Sequence, residues 1–189
     1  MSYKDLLFPL NQNIFGSQKN LKKNNQIVFY DRELKDVDIL LSGCIKNHVY
    51  IPVGKEDCFA DLFIEKLNVI DEVVSISIVS HGSSRGLNIG KDGFNESQLN
   101  YIKNSLENCK YIKEIYLYSC EVGNNKSFIN NLSNTFRAKV YSSEKLVGHN
   151  SLNATWELTS ISDFVGSNSK NNIRPFSKQA LSKWTHSLV

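Results

Sequence analysis

The sequence predicts an α/β protein, a three-layer α/β/α sandwich built around a mostly parallel sheet. Short apolar runs of strand length alternate along the chain with longer segments whose apolar residues recur every three or four positions. The strand-like runs are apolar along their whole length, which is typical of parallel strands covered on both faces. The chain has 189 residues, 41% of them hydrophobic, which is enough for one well-buried core. We therefore expect one domain.

Five strands are predicted, with a further short strand at one edge. Each is a short apolar run that ends at a polar or glycine-containing turn. The five runs cover residues 26–31, 48–53, 73–80, 114–120 and 139–144, and residues 154–160 form the added edge strand. A small hairpin is expected over residues 87–95, around the turn Lys91-Asp92-Gly93.

Helices are predicted between the strands and at the end of the chain. Each has apolar residues at helical spacing, and the third opens with an Asn or Ser cap. The predicted helical segments are 34–44, 56–70, 95–109, 125–138 and 175–188. In the last one, Phe176, Ala180, Trp184 and Leu188 recur every four residues, and Pro175 lies near the helix start.

Length and charge bound the domain organisation and the function class. We expect an irregular leader over 1–25, an α/β domain over 26–165, and a linker with a C-terminal helix over 166–189 that packs on the same domain. The net charge of +3 comes from basic residues at the two ends, so no nucleic-acid surface is expected. No apolar stretch approaches the roughly 18 residues that span a bilayer. The early Leu-Leu-Phe-Pro-Leu run is too short for a signal peptide, so a cytoplasmic protein is expected, with export by a non-classical route left open.

The cysteines and histidines do not form a metal-binding pattern. Cys44, Cys58, Cys109 and Cys120 are scattered without a Cys-x-x-Cys pair, and no His-Glu-x-x-His motif is present. Cys44 and His48 are four residues apart, but two ligands do not make a site. Neither a metal nor a cofactor is expected.

A histidine and a cysteine follow two predicted strands, each at the strand's carboxyl end. His81 and Gly82 come directly after the run over 73–80, and Cys120 closes the run over 114–120. One hairpin and one helix separate them, which is the length of a single crossover between parallel strands. Reacting groups in such sheets gather beyond the carboxyl ends of the strands. We therefore expect His81 and Cys120 to lie side by side if the two strands are neighbours.

This pair has the chemistry of nucleophilic catalysis. A thiol attacks a carbonyl as thiolate, and a nearby imidazole promotes that state and then protonates the leaving amine. Cys120 is the candidate nucleophile and His81 the candidate acid–base. The oxyanion needs fixed donors, for which the candidates are the N–H of Gly82 and the N–H of Cys120, the latter expected at a helix start. An isolated cysteine at a strand end is ordinarily a small buried hydrophobe, and the pairing with His81 is what favours catalysis.

Four polar residues are expected to face the same crevice and to bind substrate. Asp31 leaves the first strand, and Ser142, Ser143 and Glu144 leave the fifth. An acid there favours a basic side chain in the substrate. The ordinary alternative for Asp31 and Glu144 is a helix cap or a solvated loop charge. His149 is a further loop residue that could approach this edge.

These features resemble the caspase, gingipain and legumain superfamily of cysteine peptidases, in which a strand ending in His-Gly precedes one ending in Cys. More closely, the chain is similar to a bacterial domain of unknown function found near the N-termini of very large cell-surface proteins with adhesion or calcium-binding repeats. The similar segments are IVFYDRELKDVDILLSG, IVSHGSSRGLNIG, IYLYSCEVGNNKSFINNLSNTFRAKVYSS and LVGHNSLNATWEL, within residues 26–158. The resemblance implies a caspase-like fold, with His81 and Cys120 at the catalytic positions and Gly82 at the oxyanion position.

The chain departs from those peptidases in three respects. The caspase signature Gln-Ala-Cys-x-Gly is absent, because residues 118–123 read Tyr-Ser-Cys-Glu-Val-Gly. The interval from His to Cys is also shorter than the caspase interval of about 50 residues. Legumain-like and metacaspase-like members place an acid two positions before the cysteine, where this chain has Tyr118. A caspase-type preference for aspartate is therefore not carried over.

The expected function is that of a cysteine endopeptidase acting on a peptide or protein substrate, including its own chain. The lysine-containing segments 17–25 and 167–178 are candidate processing sites. The alternative is a catalytically silent caspase-like binding or adhesion module. Hydrolysis or acyl transfer on a non-peptide substrate would use the same dyad. The oligomeric state is left open.

Overall fold

The computed structural model describes residues 26–69, 75–106, 112–163 and 174–189. Its strands are β1 (Gln26–Asp31), β2 (His48–Val53), β3 (Ser75–Val79), β4 (His81–Ser83), β5 (Gly86–Asn88), β6 (Glu114–Tyr118), β7 (Lys139–Ser142) and β8 (Ser160–Ile161). Six of them form one sheet in the order β2-β1-β3-β6-β7-β8. The first five are parallel, and β8 pairs antiparallel with β7. The predicted mixed α/β fold with a mostly parallel sheet is confirmed, whereas the leader over 1–25 lies outside the described residues.

The described part of the chain contains five α-helices and two short 3₁₀ turns. The helices are α1 (Val37–Leu41), α2 (Phe59–Val69), α3 (Glu96–Ser105), α4 (Lys126–Phe136) and α5 (Lys178–Lys183), and the turns are Val122–Asn124 and Asn150–Leu152. Asparagine side chains cap α3 and α4: Asn95 accepts from the Ser97 N–H at 2.8 Å, and Asn125 accepts from the Phe128 N–H at 3.1 Å. None of these helices is both long and apolar enough to cross a membrane.

The helices cover both faces of the sheet. On the first face, α2, α3 and α4 pack over an apolar cluster that includes six phenylalanines. Phe63 lies at its centre, with its ring centroid 5.4 to 6.3 Å from those of four other phenylalanines. On the second face, α1 and α5 pack over a smaller cluster that contains Tyr118, Cys120, Trp156 and Trp184. The central strands bury side chains on both faces, and most of these side chains are apolar, although β3 also buries the small polar residues Ser75 and Ser77.

Two predicted β elements, the edge strand and the hairpin, lie at other residues in the structure than the sequence predicts. Of the edge strand predicted over 154–160, only Ser160 lies in a strand, because β8 spans Ser160–Ile161 and the side chains of Trp156 and Leu158 are buried in the second face. The hairpin expected over 87–95 is reduced to one bridge between Leu87 and Phe94. The hairpin strands pair upstream instead, with β4 antiparallel to β5.

The C-terminal helix is shorter than predicted. It ends at Lys183, and Trp184 already has an extended backbone. The chain then runs extended, and Ser187 pairs antiparallel with Gly148. The four-residue spacing from Phe176 to Leu188 was satisfied without a continuous helix, because all four of its apolar side chains are buried in the second-face cluster.

Candidate active site

The strands that carry His81 and Cys120 are direct neighbours in the sheet. β3 and β6 are parallel, and Val79 lies opposite Tyr118 in their register. His81 and Cys120 each follow this pair by two residues, and the Ser80 N–H extends the ladder to the Tyr118 carbonyl at 3.2 Å. The two residues therefore leave the sheet at the same carboxyl edge, which is the adjacency that the sequence prediction required.

The Cys120 side chain is buried and hydrogen-bonded to a loop from the far side of β7. Only 1% of the residue is exposed. Its Sγ accepts from the Val147 N–H at 3.1 Å and lies 3.7 Å from the Val147 carbonyl oxygen, to which the thiol donates. Burial raises the pKa of the Cys120 thiol above its ordinary value, while the backbone N–H groups of Val147 and Leu188 act in the opposite direction. In this arrangement the sulfur is a protonated thiol rather than a resident thiolate.

His81 opens the β4–β5 hairpin and is half-buried. Its Nδ1 is buried, and no partner for it is found among the described residues. Burial raises the pKa of the Asp31 carboxyl, at the end of β1, above its ordinary value. The Glu33 N–H, which donates to this carboxylate at 2.9 Å, and the nearby charge of His81 act in the opposite direction. An acid, an imidazole and a thiol thus line one edge across β1, β3 and β6.

Gly82 packs so closely against its neighbours that a larger side chain fits only if they shift. A methyl group built on it would be 1.9 Å from Ser119 Oγ and 3.0 Å from the Gly86 carbonyl oxygen. The backbone is consequently drawn close to the Cys120 strand, and its N–H donates to the Leu188 carbonyl at 3.2 Å. The predicted oxyanion donor is therefore already bonded to a peptide carbonyl. The N–H of Cys120 was expected at a helix start, but α4 begins at Lys126, after an intervening 3₁₀ turn.

The three candidates that leave β7 lie in different environments. Ser142 is fully buried, and its Oγ has no partner among the described residues. Ser143 is also buried, and its hydroxyl is bonded within its own turn to the backbone of Lys145. Glu144 is exposed and forms an ion pair with Lys126, which lowers the pKa of its carboxyl. The structure brings Asp31 toward His81 and engages Glu144 with the start of α4.

The side chains of two other histidines, His149 and His186, are bonded to polar groups outside the candidate dyad. His149 Nδ1 is 2.7 Å from Ser151 Oγ, and its Nε2 is 3.2 Å from the Ser182 carbonyl oxygen. His186 Nε2 is 2.7 Å from Asp36 Oδ2. Among the residues that the structure describes, no group of three or more His, Cys, Asp or Glu side chains is arranged to hold a metal ion.

Sequence reasoning missed Val147, Gly148 and the segment 186–188 as parts of this edge. Val147 and Leu188 contact the Cys120 thiol and Gly82 through backbone atoms, and Gly148 pairs with Ser187. Backbone contacts of this kind leave no residue motif. The available signal was the weak helix-forming run Thr185-His186-Ser187 after Trp184, which disfavours a helix that continues to Leu188.

A family model described as a domain of unknown function, DUF4347, matches residues 27–188. No curated protein and no solved structure matches the chain significantly. The matched range includes both candidate catalytic side chains and extends through Leu188.

Proposed function

Since this chain belongs to the DUF4347 family of bacterial domains, which carries no assigned activity, we propose from the site itself that it is a cysteine endopeptidase. The caspase-like assignment is part of this proposal. One observation carries it: His81 and Cys120 each stand two residues beyond the same paired position of adjacent parallel strands, Val79 and Tyr118. A histidine and a cysteine so placed can exchange a proton over a carbonyl bound at the sheet edge.

The role of each group follows from its chemistry. His81 takes the thiol proton and later delivers it to the leaving amine, and Cys120 attacks the carbonyl carbon. The Gly82 N–H points at a peptide oxygen and serves as an oxyanion donor, and removal of such a donor costs about 2.7–4 kcal/mol of transition-state stabilisation. Asp31 is a positioning residue, because it lies close enough to His81 for a charge interaction between the two side chains.

Purified wild-type protein, Cys120→Ala and His81→Gln, incubated with a broad peptide library, provide the test. Mass spectrometry then follows both the peptides and the intact mass of the chain. We expect cleavage by the wild type and by the matched control Cys58→Ala, because Cys58 lies on the first face and packs against that cluster, and no cleavage by Cys120→Ala or His81→Gln. Cleavage that persists in Cys120→Ala would contradict the assignment. Esters and simple amides in the same assay separate peptidase action from hydrolysis of non-peptide substrates.

A silent binding or adhesion module is the second candidate. It is favoured by the burial of the Cys120 thiol, which raises the thiol's pKa and leaves it protonated in the described state. In that case a peptide ligand binds equally to the wild type and to the double variant His81→Gln, Cys120→Ala, and neither protein cleaves it. Lost binding in the double variant would exclude this candidate.

A further inference from the structure

The segment 186–188 lies along the candidate site and pairs with residues 147–149 through an isolated antiparallel bridge. The Leu188 N–H donates to the Val147 carbonyl at 2.8 Å, and the His149 N–H donates to the His186 carbonyl at 2.9 Å. Gly148 and Ser187 form the bridge between these two bonds. An extended peptide that pairs with an exposed edge in this way gains its affinity from main-chain bonds and its selectivity from side-chain pockets.

Gly148 fits the close approach of this segment. Its φ is +147°, and a methyl group built on it would lie 2.5 Å from the His186 carbonyl oxygen and 2.6 Å from Ser187 Cα. Any other residue would push the extended segment away from the edge, and its backbone would also be strained. The edge at residue 148 is thus shaped for the backbone of a peptide.

Leu188 places one peptide carbonyl at the reacting groups. Its carbonyl oxygen accepts from the Gly82 N–H at 3.2 Å, and its own N–H lies near enough to the Cys120 thiol to lower the thiol's pKa. The next residue, Val189, is 68% exposed. The Leu188–Val189 peptide bond therefore has its acyl side held at Cys120 and its amine side toward solvent.

The side chain of Leu188 occupies an apolar environment. It is fully buried, in the second-face cluster that also holds Val79, Cys120, Val147 and Trp184. A lysine or aspartate in this position would bury a charge among hydrocarbon, which is costly without a paired partner. The pocket therefore suits an aliphatic side chain, in contrast to the basic one expected from Asp31 and Glu144.

We propose that the site takes an extended peptide with leucine or a similar aliphatic residue before the cut, and that residues 186–188 of this chain occupy it as the resident peptide. This inference rests on the proposed peptidase function for its cleavage step. Binding of residues 186–188 in the site, called seating below, does not require cleavage and is tested separately from turnover.

The cleavage step balances with water as the co-reactant. The Cys120 thiol gives its proton to His81, and Sγ bonds to the Leu188 carbonyl carbon, so that the oxygen becomes an oxyanion bonded to the Gly82 N–H. The bond to the Val189 nitrogen breaks, and that nitrogen takes the proton from His81. Water then gives a proton to His81 and adds hydroxide to the thioester. The oxyanion collapses, the C–S bond breaks and His81 returns its proton to the sulfur, which leaves a free carboxylic acid on Leu188 and restores the thiol.

The first experiment measures seating through the accessibility of Cys120. Wild type, Leu188→Glu and the matched control Val189→Glu are treated with iodoacetamide, and alkylation of each cysteine is followed by peptide mass spectrometry with Cys58 as internal reference. In Leu188→Glu we expect alkylation of Cys120 to rise by at least about thirtyfold, because lost burial of a leucine shifts a seated-to-released equilibrium by that order. Val189→Glu should match the wild type. An unchanged rate in Leu188→Glu would overturn the inference.

The second experiment reads the residue preference and the turnover. Leu188→Glu is given acetyl-His-Ser-Leu linked to a fluorogenic amine, with Lys and Asp versions of the same peptide as competitors and the Cys120→Ala, Leu188→Glu double variant as blank. Release from the leucine peptide alone supports both proposals. If the leucine peptide protects Cys120 from alkylation but is not hydrolysed, the result supports binding of the leucine peptide at this site and counts against the peptidase function. Preference for Lys or Asp overturns the aliphatic class while keeping the peptidase.

A milder variant guards against loss of the fold. Near-ultraviolet circular dichroism of Trp156 and Trp184, both buried beside the site, reports whether Leu188→Glu is folded. If it is not, Leu188→Ala replaces it in both experiments, because it removes burial without adding a charge. Faster alkylation of Cys120 in a folded Leu188→Ala supports the seated segment, and an unchanged rate overturns it.

Discussion

The close contact between Gly82, which follows β3, and Ser119, which follows β6, can be tested by mutation. A methyl group at position 82 would be 1.9 Å from Ser119 Oγ, 3.1 Å from Ser119 Cβ and 3.0 Å from the Gly86 carbonyl oxygen. The first distance is far inside van der Waals contact, so the hydroxyl or the backbone must move. Overpacking of this kind costs about 1–3 kcal/mol of the free energy of unfolding. We therefore expect Gly82→Ala to lower that free energy by about 2 kcal/mol.

The Ser119 hydroxyl is buried, and it has no hydrogen-bond partner among the described residues. Ser119→Ala removes a polar group that gains nothing from burial, so we expect a neutral or stabilising effect. It also removes the 1.9 Å contact, which leaves only the two longer ones for Gly82→Ala to meet. In the double variant the cost of Gly82→Ala should fall, with a coupling of about 1 kcal/mol or more.

Urea unfolding followed by tryptophan fluorescence measures all four proteins of this cycle. Equal m-values show that the comparison concerns stability rather than the denatured state. If the two substitutions are additive within about 0.3 kcal/mol, they do not contact each other. Gly82 would then lie away from the Cys120 strand, and the described edge geometry would be refuted.

Three further predictions concern the parts of the fold that hold this edge. Phe63→Ala should lower the free energy of unfolding by about 3–5 kcal/mol, because it empties the centre of the phenylalanine cluster. Urea unfolding of this variant and of Phe63→Leu measures the loss, and a smaller loss in Phe63→Ala than in Phe63→Leu would contradict the packing. Burial and then Glu114 raise the pKa of Tyr141 to about 12. The contribution of Tyr141 to the free energy of unfolding is therefore fully present below the unfolded-state pKa of about 10 and is lost as pH rises toward 12. Unfolding measured from pH 9 to 12 should show that decline, and Tyr141→Phe should reduce it. Asn125→Ala should cost about 1 kcal/mol of cap stability, whereas Asn125→Asp, which keeps the acceptor for the Phe128 N–H, should stay near the wild type in thermal unfolding.

The placement of the candidate dyad could be predicted from the sequence, because a strand ends where an apolar run gives way to polar or glycine residues. The runs before His81 and Cys120 are mainly apolar and could be recognised as buried parallel strands, and a single crossover between them allows the two strands to be neighbours. The sheet order shows that they are. The site around the dyad could not be predicted in the same way. Its other participants, Val147 and Leu188, act through backbone N–H and C=O groups, which every residue possesses.

The C-terminal segment separates the two kinds of information most clearly. The sequence by itself determined that Phe176, Ala180, Trp184 and Leu188 are all buried, since apolar spacing reports burial. It did not determine the backbone that buries them, because a short helix followed by an extended strand satisfies the same pattern as one long helix. Only the tertiary structure, with a glycine at 148 that admits a neighbouring backbone and the Gly82 N–H that needs a carbonyl, decided that Leu188 lies extended against Cys120.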